Sequence, residues 1–118
     1  MGVVPSISHT EFVMFEQLYE ASQKGELILI AGGLCHYHQR RDGQLTILEI
    51  LILPEQQGGG KAYWILQQLL ALKPKSLFAK CPVDLIKANA WYQRQGFALE
   101  KVETTKTGRG LNCWRLWI

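Results

Sequence analysis

The spacing of hydrophobic residues changes along the chain, and each change predicts a different element. Residues 9–24 carry apolar side chains at helical spacing and are followed by Gly25. Three apolar segments come next, at 26–31, 34–40 and 45–53. They are rich in β-branched residues or alternate apolar with polar residues, and turn signals separate them. This first half therefore predicts one helix followed by an antiparallel meander of three strands.

The second half of the chain alternates between the two kinds of spacing. Its pattern predicts a helix at 59–72, a strand at 76–81, a helix at 83–95 and two strands at 97–103 and 111–118. A strand–helix–strand unit inside an otherwise antiparallel sheet indicates an α/β or α+β fold with a mixed sheet and flanking helices. Residues 1–118 are long enough for one domain of this kind and too short for two.

Composition narrows the class of protein further. Of the 118 residues, 47% are hydrophobic, which is enough to fill a core, and no apolar run reaches the ~18 residues that a membrane span needs. The start of the chain lacks the basic and long apolar parts of a signal peptide, so we expect a soluble, cytoplasmic protein without membrane attachment. Three widely spaced cysteines, Cys35, Cys81 and Cys113, predict reduced and mostly buried thiols. The net charge of +3 suits a polyanionic small molecule and does not indicate nucleic-acid binding.

Three consecutive glycines, Gly58, Gly59 and Gly60, lie between the longest predicted strand and a predicted helix, and Lys61 follows them. Bare backbone lets an anion approach closely, and the N–H groups and dipole of a helix N-terminus favour its negative charge. The stretch is neither a Walker loop nor a GxGxxG turn. On composition alone, a phosphate-binding loop and a flexible surface turn remain equally open.

The segment "PEQQGGGKA" resembles the pyrophosphate-binding loop of the GNAT superfamily of N-acetyltransferases, with Gln57, Gly60 and Ala62 at the motif positions. A second segment, "ANAWYQRQGF" at 88–97, is similar to the Ala-led helix of that family, which carries an aromatic-Tyr pair and closes on Gly-Phe. The two motifs occur in the family's order and at its distance, and the predicted elements follow the family's fold over residues 9 to 118. The resemblance is to a GNAT-like acyl-CoA N-acyltransferase fold.

This resemblance implies transfer of an acetyl group from acetyl-coenzyme A to an amine by direct attack, without a metal. The pantetheine arm would lie between two splayed parallel strands, the one that ends at Leu53 and the one at 76–81. Backbone groups of Leu51, Ile52 and Leu53 would pair with the pantetheine amides. The pyrophosphate would bind the loop amides of Gln57, Gly58, Gly59, Gly60, Lys61 and Ala62. Asn89 is a further candidate for a coenzyme A contact, or else an exposed helix residue.

Two side-chain roles follow from the same resemblance. Tyr92 matches the tyrosine that protonates the departing thiolate, a step for which a phenol is suited because its pKa of ~10 is close to that of the thiol. Glu49 is the only charged residue of strand 45–53, where the family often carries its general base, and burial would raise the pKa of this carboxyl. A shift of one residue in register would turn Glu49 to the other face, so a solvent-facing position is the alternative.

The pair His36 and His38 shares one face of a predicted strand. These residues are candidates for a substrate-site base in place of Glu49, for the lining of the amine groove, or for plain solvent exposure. A zinc site is disfavoured because further ligands are missing.

The N-terminal part departs from the family's pattern. Only residues 1–8 precede the first helix, which appears single, and "GVVPSI" is at most a stub of an edge strand because of Pro5. The acceptor site would then be open or completed by a second subunit, and the apolar C-terminal strand makes a homodimer the expected assembly. Two functions remain: an acetyltransferase for a primary amine of a small molecule or peptide, or a catalytically silent, coenzyme A-binding or dimerising relative.

Overall fold

The structure is a computed structural model, and it describes residues 9–118, with the side chains of residues 13–118. The elements are α1 (His9–Gln23), β1 (Leu27–Ile30), β2 (Gly33–Gln39), β3 (Gln44–Ile52), α2 (Lys61–Ala71), β4 (Ser76–Pro82), α3 (Ile86–Arg94), β5 (Ala98–Thr104) and β6 (Gly110–Trp117). They occur in the predicted order, and their ends lie within three residues of the predicted ones. The predicted edge-strand stub at "GVVPSI" lies outside the described residues.

The strands form a mixed six-stranded sheet in the order β1-β2-β3-β4-β6-β5. All neighbouring pairs are antiparallel except β3 and β4, which run parallel because α2 carries the chain back across the sheet between them. The predicted fold class, a mostly antiparallel sheet with one central parallel pair and flanking helices, is confirmed.

The core lies on the face of the sheet that α2 and α3 cover. Leu45 and Ile47 of β3 point into it, and Leu69 of α2 packs on them from above. The other buried members of this cluster are Cys35, Tyr37, Ile65, Leu66, Leu77, Ala79, Cys81, Tyr92, Phe97 and Trp114. All three cysteines are buried and unpaired, as the sequence predicts.

The opposite face of the sheet carries α1, which packs on it through the buried Ala21. Two aromatic residues of the predicted apolar stripe, Phe15 and Tyr19, are instead exposed and lie against each other with ring centroids 6.5 Å apart. This face is therefore only partly covered by α1. No helix of residues 9–118 is long and apolar enough to cross a membrane.

Candidate active site

The sheet opens between its two parallel strands. Parallel pairing of β3 and β4 runs only from Gln44 with Ser76 to Ile47 with Ala79, although both strands continue further. Beyond that point β3 stays on β2 and β4 stays on β6. Leu48 is an extra residue in the β2–β3 register, and such a bulge bends its strand. The result is a gap between β3 and β4 that starts directly after the bulge.

The register of β3 decides which of its backbone groups face this gap. The N–H of Leu53 donates to the C=O of Gly32 at 2.8 Å, on the β2 side. Because bonded and non-bonded pairs alternate along an antiparallel ladder, Leu51 also bonds β2, whereas Ile50 and Ile52 turn their backbone groups to the gap. The predicted set of Leu51, Ile52 and Leu53 is therefore corrected: Ile52 faces the gap, Leu51 and Leu53 do not, and Ile50 was missed.

The glycine loop presents a row of free backbone donors. Among the described residues, no backbone acceptor takes a hydrogen bond from the N–H groups of positions 58–63, and the first such bond of α2 runs from Trp64 to Gly60. Gly58 and Gly60 have φ of +84° and +81°, a conformation that favours glycine, and no other atom lies within 4 Å of where their Cβ would stand. This open concave row of amides is the geometry of an anion site at a helix N-terminus, rather than that of a featureless linker.

Two contacts hold this loop in place. The Gln57 amide donates to the C=O of Ile52 at 3.1 Å, so this predicted loop residue closes the turn at the mouth of the gap. The Lys61 ammonium donates to the C=O of Ala31 at 2.8 Å, in the β1–β2 turn. The loop is thus fastened to the sheet on both sides, and one of the two fastenings carries a positive charge.

Tyr92 lies on α3 and points into the core below the gap. It is 8% exposed, and its ring packs edge-on against Phe97 and parallel to Trp114. Its hydroxyl donates no hydrogen bond to any of residues 13–118, whose side chains the structure describes. The pKa of Tyr92 is raised, first by burial and then by the thiols of Cys81 on β4 and Cys35 on β2. Tyr92 is therefore a protonated phenol on the core face of the sheet.

The side-chain amide of Asn89 is hydrogen-bonded to four groups of the protein. Its amide nitrogen donates to the C=O of Pro82 and of Leu85, each at 2.9 Å. Its oxygen accepts from Asn112 Nδ2 and Trp114 Nε1, also at 2.9 Å. All the hydrogen bonds that this amide can make are used within the protein. The amide is therefore held within the protein in this conformation, and a coenzyme A contact of Asn89 stays a prediction.

Glu49 lies on the face of the sheet that α1 covers, opposite to Tyr92. It is half-buried rather than enclosed, and it pairs with His36 in the β2–β3 register. The two residues line a cavity of about 520 Å³ between α1 and the sheet, together with Gln17, Glu20, Ala21, Lys24, Glu26, His38 and Leu48. Of the described lining side chains, three are carboxylates and one is an ammonium, so this part of the cavity is negative although the whole chain is positive.

Within this cavity, His38 Nδ1 and the backbone N–H of Gln39 both contact Glu26 Oε2 at 2.9 Å. Sequence reasoning missed Glu26, which precedes β1 and carries no motif; only its position before an apolar strand distinguishes it. Glu49, His36 and His38 line the same cavity, and their roles as base or as lining of the amine groove stay predictions. The structure shows no group of three or more His, Cys, Asp or Glu side chains fit to hold a metal ion anywhere in the described range.

Solved structures show what this architecture is similar to. A putative acetyltransferase of the GNAT family from Desulfovibrio desulfuricans matches with a TM-score of 0.74 and 18% identity, over 94% of this chain and 83% of that chain. Microcin C7 self immunity acetyltransferase MccE, solved with acetyl-CoA and AMP, matches with a TM-score of 0.73 and 21% identity, over 95% of this chain and 73% of that chain. Arabidopsis thaliana Naa50, solved with the bisubstrate analogue CoA-Ac-MVNAL, matches with a TM-score of 0.71 and 12% identity, over 97% of each chain. The sequence matches no protein-family model and no curated protein.

The likeness extends over nearly the whole described chain while the sequence identities stay low, so what it establishes is the fold. The same fold was predicted from the glycine loop and from the helix that carries Tyr92. The chain has the fold of the GNAT acetyltransferases.

Proposed function

We propose that the protein transfers an acetyl group from acetyl-coenzyme A to a primary amine. The gap between β3 and β4, closed at one end by the row of free amides at 58–63, is the observation that carries this proposal. An extended pantetheine arm fits such a gap as an added strand, through the backbone groups of Ile50 and Ile52. The pyrophosphate then lies on the amides of Gly58, Gly59, Gly60, Lys61 and Ala62, where the Lys61 ammonium adds a positive charge.

The two proton transfers of the reaction are assigned to residues on opposite faces of the sheet. The bound thioester supplies the acetyl group. Glu49, on the cavity side, takes a proton from the incoming ammonium, directly or through water, so that a neutral amine attacks the acetyl carbon. As the carbon–sulfur bond breaks, Tyr92 gives its phenolic proton to the leaving sulfur from the other side of the sheet, and the proton that the new amide nitrogen loses returns to the phenolate. Burial raises the pKa of Tyr92, so the phenol is protonated at neutral pH and is a weaker acid toward the thiolate than a free phenol.

The cavity next to Glu49 supports a cationic acceptor. Glu20, Glu26 and Glu49 line it against a single lysine, Lys24, which favours a protonated amine over a neutral or anionic molecule. Glu49 and Glu26 are separated by two strand spacings, roughly 10 Å in the plane of the sheet. An amine that carries a second positive charge at about that distance can contact both carboxylates.

The first test is calorimetric titration of acetyl-coenzyme A into the wild-type protein and two variants. Gly60→Glu places a carboxylate and an unfavourable backbone conformation in the amide row, so it should abolish binding. Gln67→Glu adds the same charge at an exposed position of α2 away from the row, and should bind as the wild type does. Circular dichroism of both variants checks that they fold.

The outcomes separate the candidate functions. The acetyltransferase is supported if Gly60→Glu abolishes binding, Gln67→Glu does not, and the wild type releases free thiol when amines are added. Binding without turnover by any amine would instead indicate a silent coenzyme A-binding protein. Absence of binding by the wild type would overturn both. The homodimer and the cytoplasmic location stay predictions, and sedimentation of the purified protein tests the first.

A further inference from the structure

The amide of Asn89 joins three elements that meet below the gap. Its amide nitrogen donates to the backbone C=O of Pro82 at the end of β4 and of Leu85 before α3. Its oxygen accepts from Asn112 and Trp114 of β6. The side chain therefore sets where α3 begins relative to both strands.

The Trp114 contact extends this arrangement to Tyr92. The indole N–H of Trp114 is fixed by the Asn89 oxygen at 2.9 Å, and the face of the same indole lies parallel to the Tyr92 ring, with centroids 6.3 Å apart and planes 17° apart. Asn89 and Tyr92 are three residues apart on α3 and so share one face of the helix. Asn89 is thus linked to the phenol along the helix and also through the indole.

We propose that Asn89 is a positioning residue that holds the Tyr92 hydroxyl at the gap between β3 and β4, through Trp114 and through the start of α3. This inference rests on the proposed acetyl transfer, in which Tyr92 donates the proton. It assigns to Asn89 a task that needs no contact with coenzyme A. It also explains why a half-buried polar residue stands near the start of this short helix, where its amide would otherwise be costly to bury.

Three substitutions examine the link at different points. Asn89→Leu keeps the approximate volume and removes every hydrogen bond. Trp114→Phe keeps an aromatic face on Tyr92 and removes only the indole N–H, which makes it the milder variant if Asn89→Leu does not fold. Lys87→Ala, at an exposed position on the same helix, is the matched control.

The first readout needs no activity. Near-ultraviolet circular dichroism of the free protein reports the asymmetric packing of the aromatic rings. Asn89→Leu should lose the component that Tyr92→Phe also loses, whereas Lys87→Ala should keep the wild-type spectrum. A spectrum of folded Asn89→Leu that superimposes on the wild type would overturn the proposal, whether or not the protein proves to be an acetyltransferase.

The second readout is a double-mutant cycle on turnover. We expect Asn89→Leu to lower kcat roughly tenfold through misplacement of the acid, and to change the coenzyme A dissociation constant less than about twofold. In the Tyr92→Phe background, Asn89→Leu should have almost no further effect on kcat, because the hydroxyl that Asn89 positions is already absent. Losses that multiply in the double variant, or a loss of coenzyme A affinity in place of kcat, would contradict a positioning role. If the wild type neither binds nor turns over acetyl-coenzyme A, the proposed function fails separately.

Discussion

The side-chain ammonium of Lys61 donates a hydrogen bond of 2.8 Å to the backbone carbonyl of Ala31. This contact joins the first turn of α2 to the β1–β2 turn, which is distant in the chain. The same turn packs on the segment before the glycines, since a Cβ at Gly32 would stand 2.6 Å from Cγ of Gln56. A carbonyl partner orients the ammonium without neutralising it, so the positive charge beside the free amides is retained.

Replacing Lys61 by methionine should weaken coenzyme A binding about threefold to tenfold, because one partly exposed positive charge is lost near the pyrophosphate. The loss should be larger at low ionic strength than at high, since salt screens an exposed charge. Calorimetric titration at two salt concentrations measures both effects. Lys87→Met removes a lysine from α3 as a control and should bind normally. Equal affinities of Lys61→Met and the wild type at low salt would contradict the placement of the pyrophosphate.

Adjacent glycines of the loop should respond differently to alanine. Gly60 has φ of +81° and precedes α2, so Gly60→Ala should destabilise the protein by about 1 kcal/mol and weaken coenzyme A binding as the amide row shifts. Gly59 does not have a positive φ, and the nearest atom to its Cβ position is 3.7 Å away, so Gly59→Ala should be tolerated. Urea unfolding and calorimetry compare the two. The opposite order of effects would show that the loop is not held in this conformation when the ligand binds.

Local patterns in the sequence were sufficient to predict the order of the elements. Hydrophobic spacing and turn residues identified each helix and strand between residues 9 and 118, and the two motifs identified the fold. These signals are local, since each rests on a run of neighbouring residues. The glycine loop belongs to this class, because strand, glycines and helix follow one another directly in the chain.

The remaining features of the site depend on register and on distant partners. The bulge at Leu48 decides that Ile50 and Ile52 face the gap, and no residue type marks a bulge there. The roles of Asn89 and Glu26 depend on contacts with Trp114 and His38, which lie 25 and 12 residues away along the chain. Such partners cannot be read from one sequence, so the hydrogen bonds of Asn89 were not predicted and Glu26 was missed.

Tyr92→Phe should lower kcat by about 100-fold and leave the coenzyme A dissociation constant within about twofold, because it removes the proton donor and keeps the ring. The free energy of unfolding should change little, since the hydroxyl donates no hydrogen bond within residues 13–118, the part of the chain with described side chains. Thiol-release kinetics, calorimetry and urea unfolding supply the three values. Tyr63→Phe removes an exposed phenol from α2 and should retain full activity. An unchanged kcat in Tyr92→Phe would show that another group donates the proton to the leaving sulfur.

Stability should fall at alkaline pH because of buried acidic groups. Burial raises the pKa of the Cys35 thiol from 9.0 to about 12, so between those values the unfolded chain releases a proton that the folded chain keeps. The free energy of unfolding therefore decreases as pH rises above 9, by up to ~1.4 kcal/mol per pH unit from this group. The raised pKa of Tyr92 acts in the same direction above pH 10.

Cys35→Ala tests the contribution of this thiol. Urea unfolding of the wild type and the variant at neutral pH gives the cost of the cavity, because the thiol is then protonated in both states. At pH 10.5 the variant should have recovered about 2 kcal/mol relative to the wild type. Parallel dependence on pH in the two proteins would show that Cys35 does not titrate on unfolding.

The negative cavity predicts which amines react. A primary diamine whose nitrogens lie about 10 Å apart when extended, such as 1,7-diaminoheptane, should have a KM about tenfold below that of heptylamine, because its second ammonium can contact a further carboxylate. Glu26→Gln should remove most of this preference through KM. Glu49→Gln should instead lower kcat for both amines by about 100-fold, since the proton acceptor is lost.

Thiol release with both amines measures these effects, and Glu16→Gln, an exposed α1 residue outside the cavity lining, is the control. Equal kcat/KM for the two amines would place the acceptor elsewhere. Full activity of Glu49→Gln combined with loss of activity in His36→Gln would assign the base to the histidine with which Glu49 pairs across the strands.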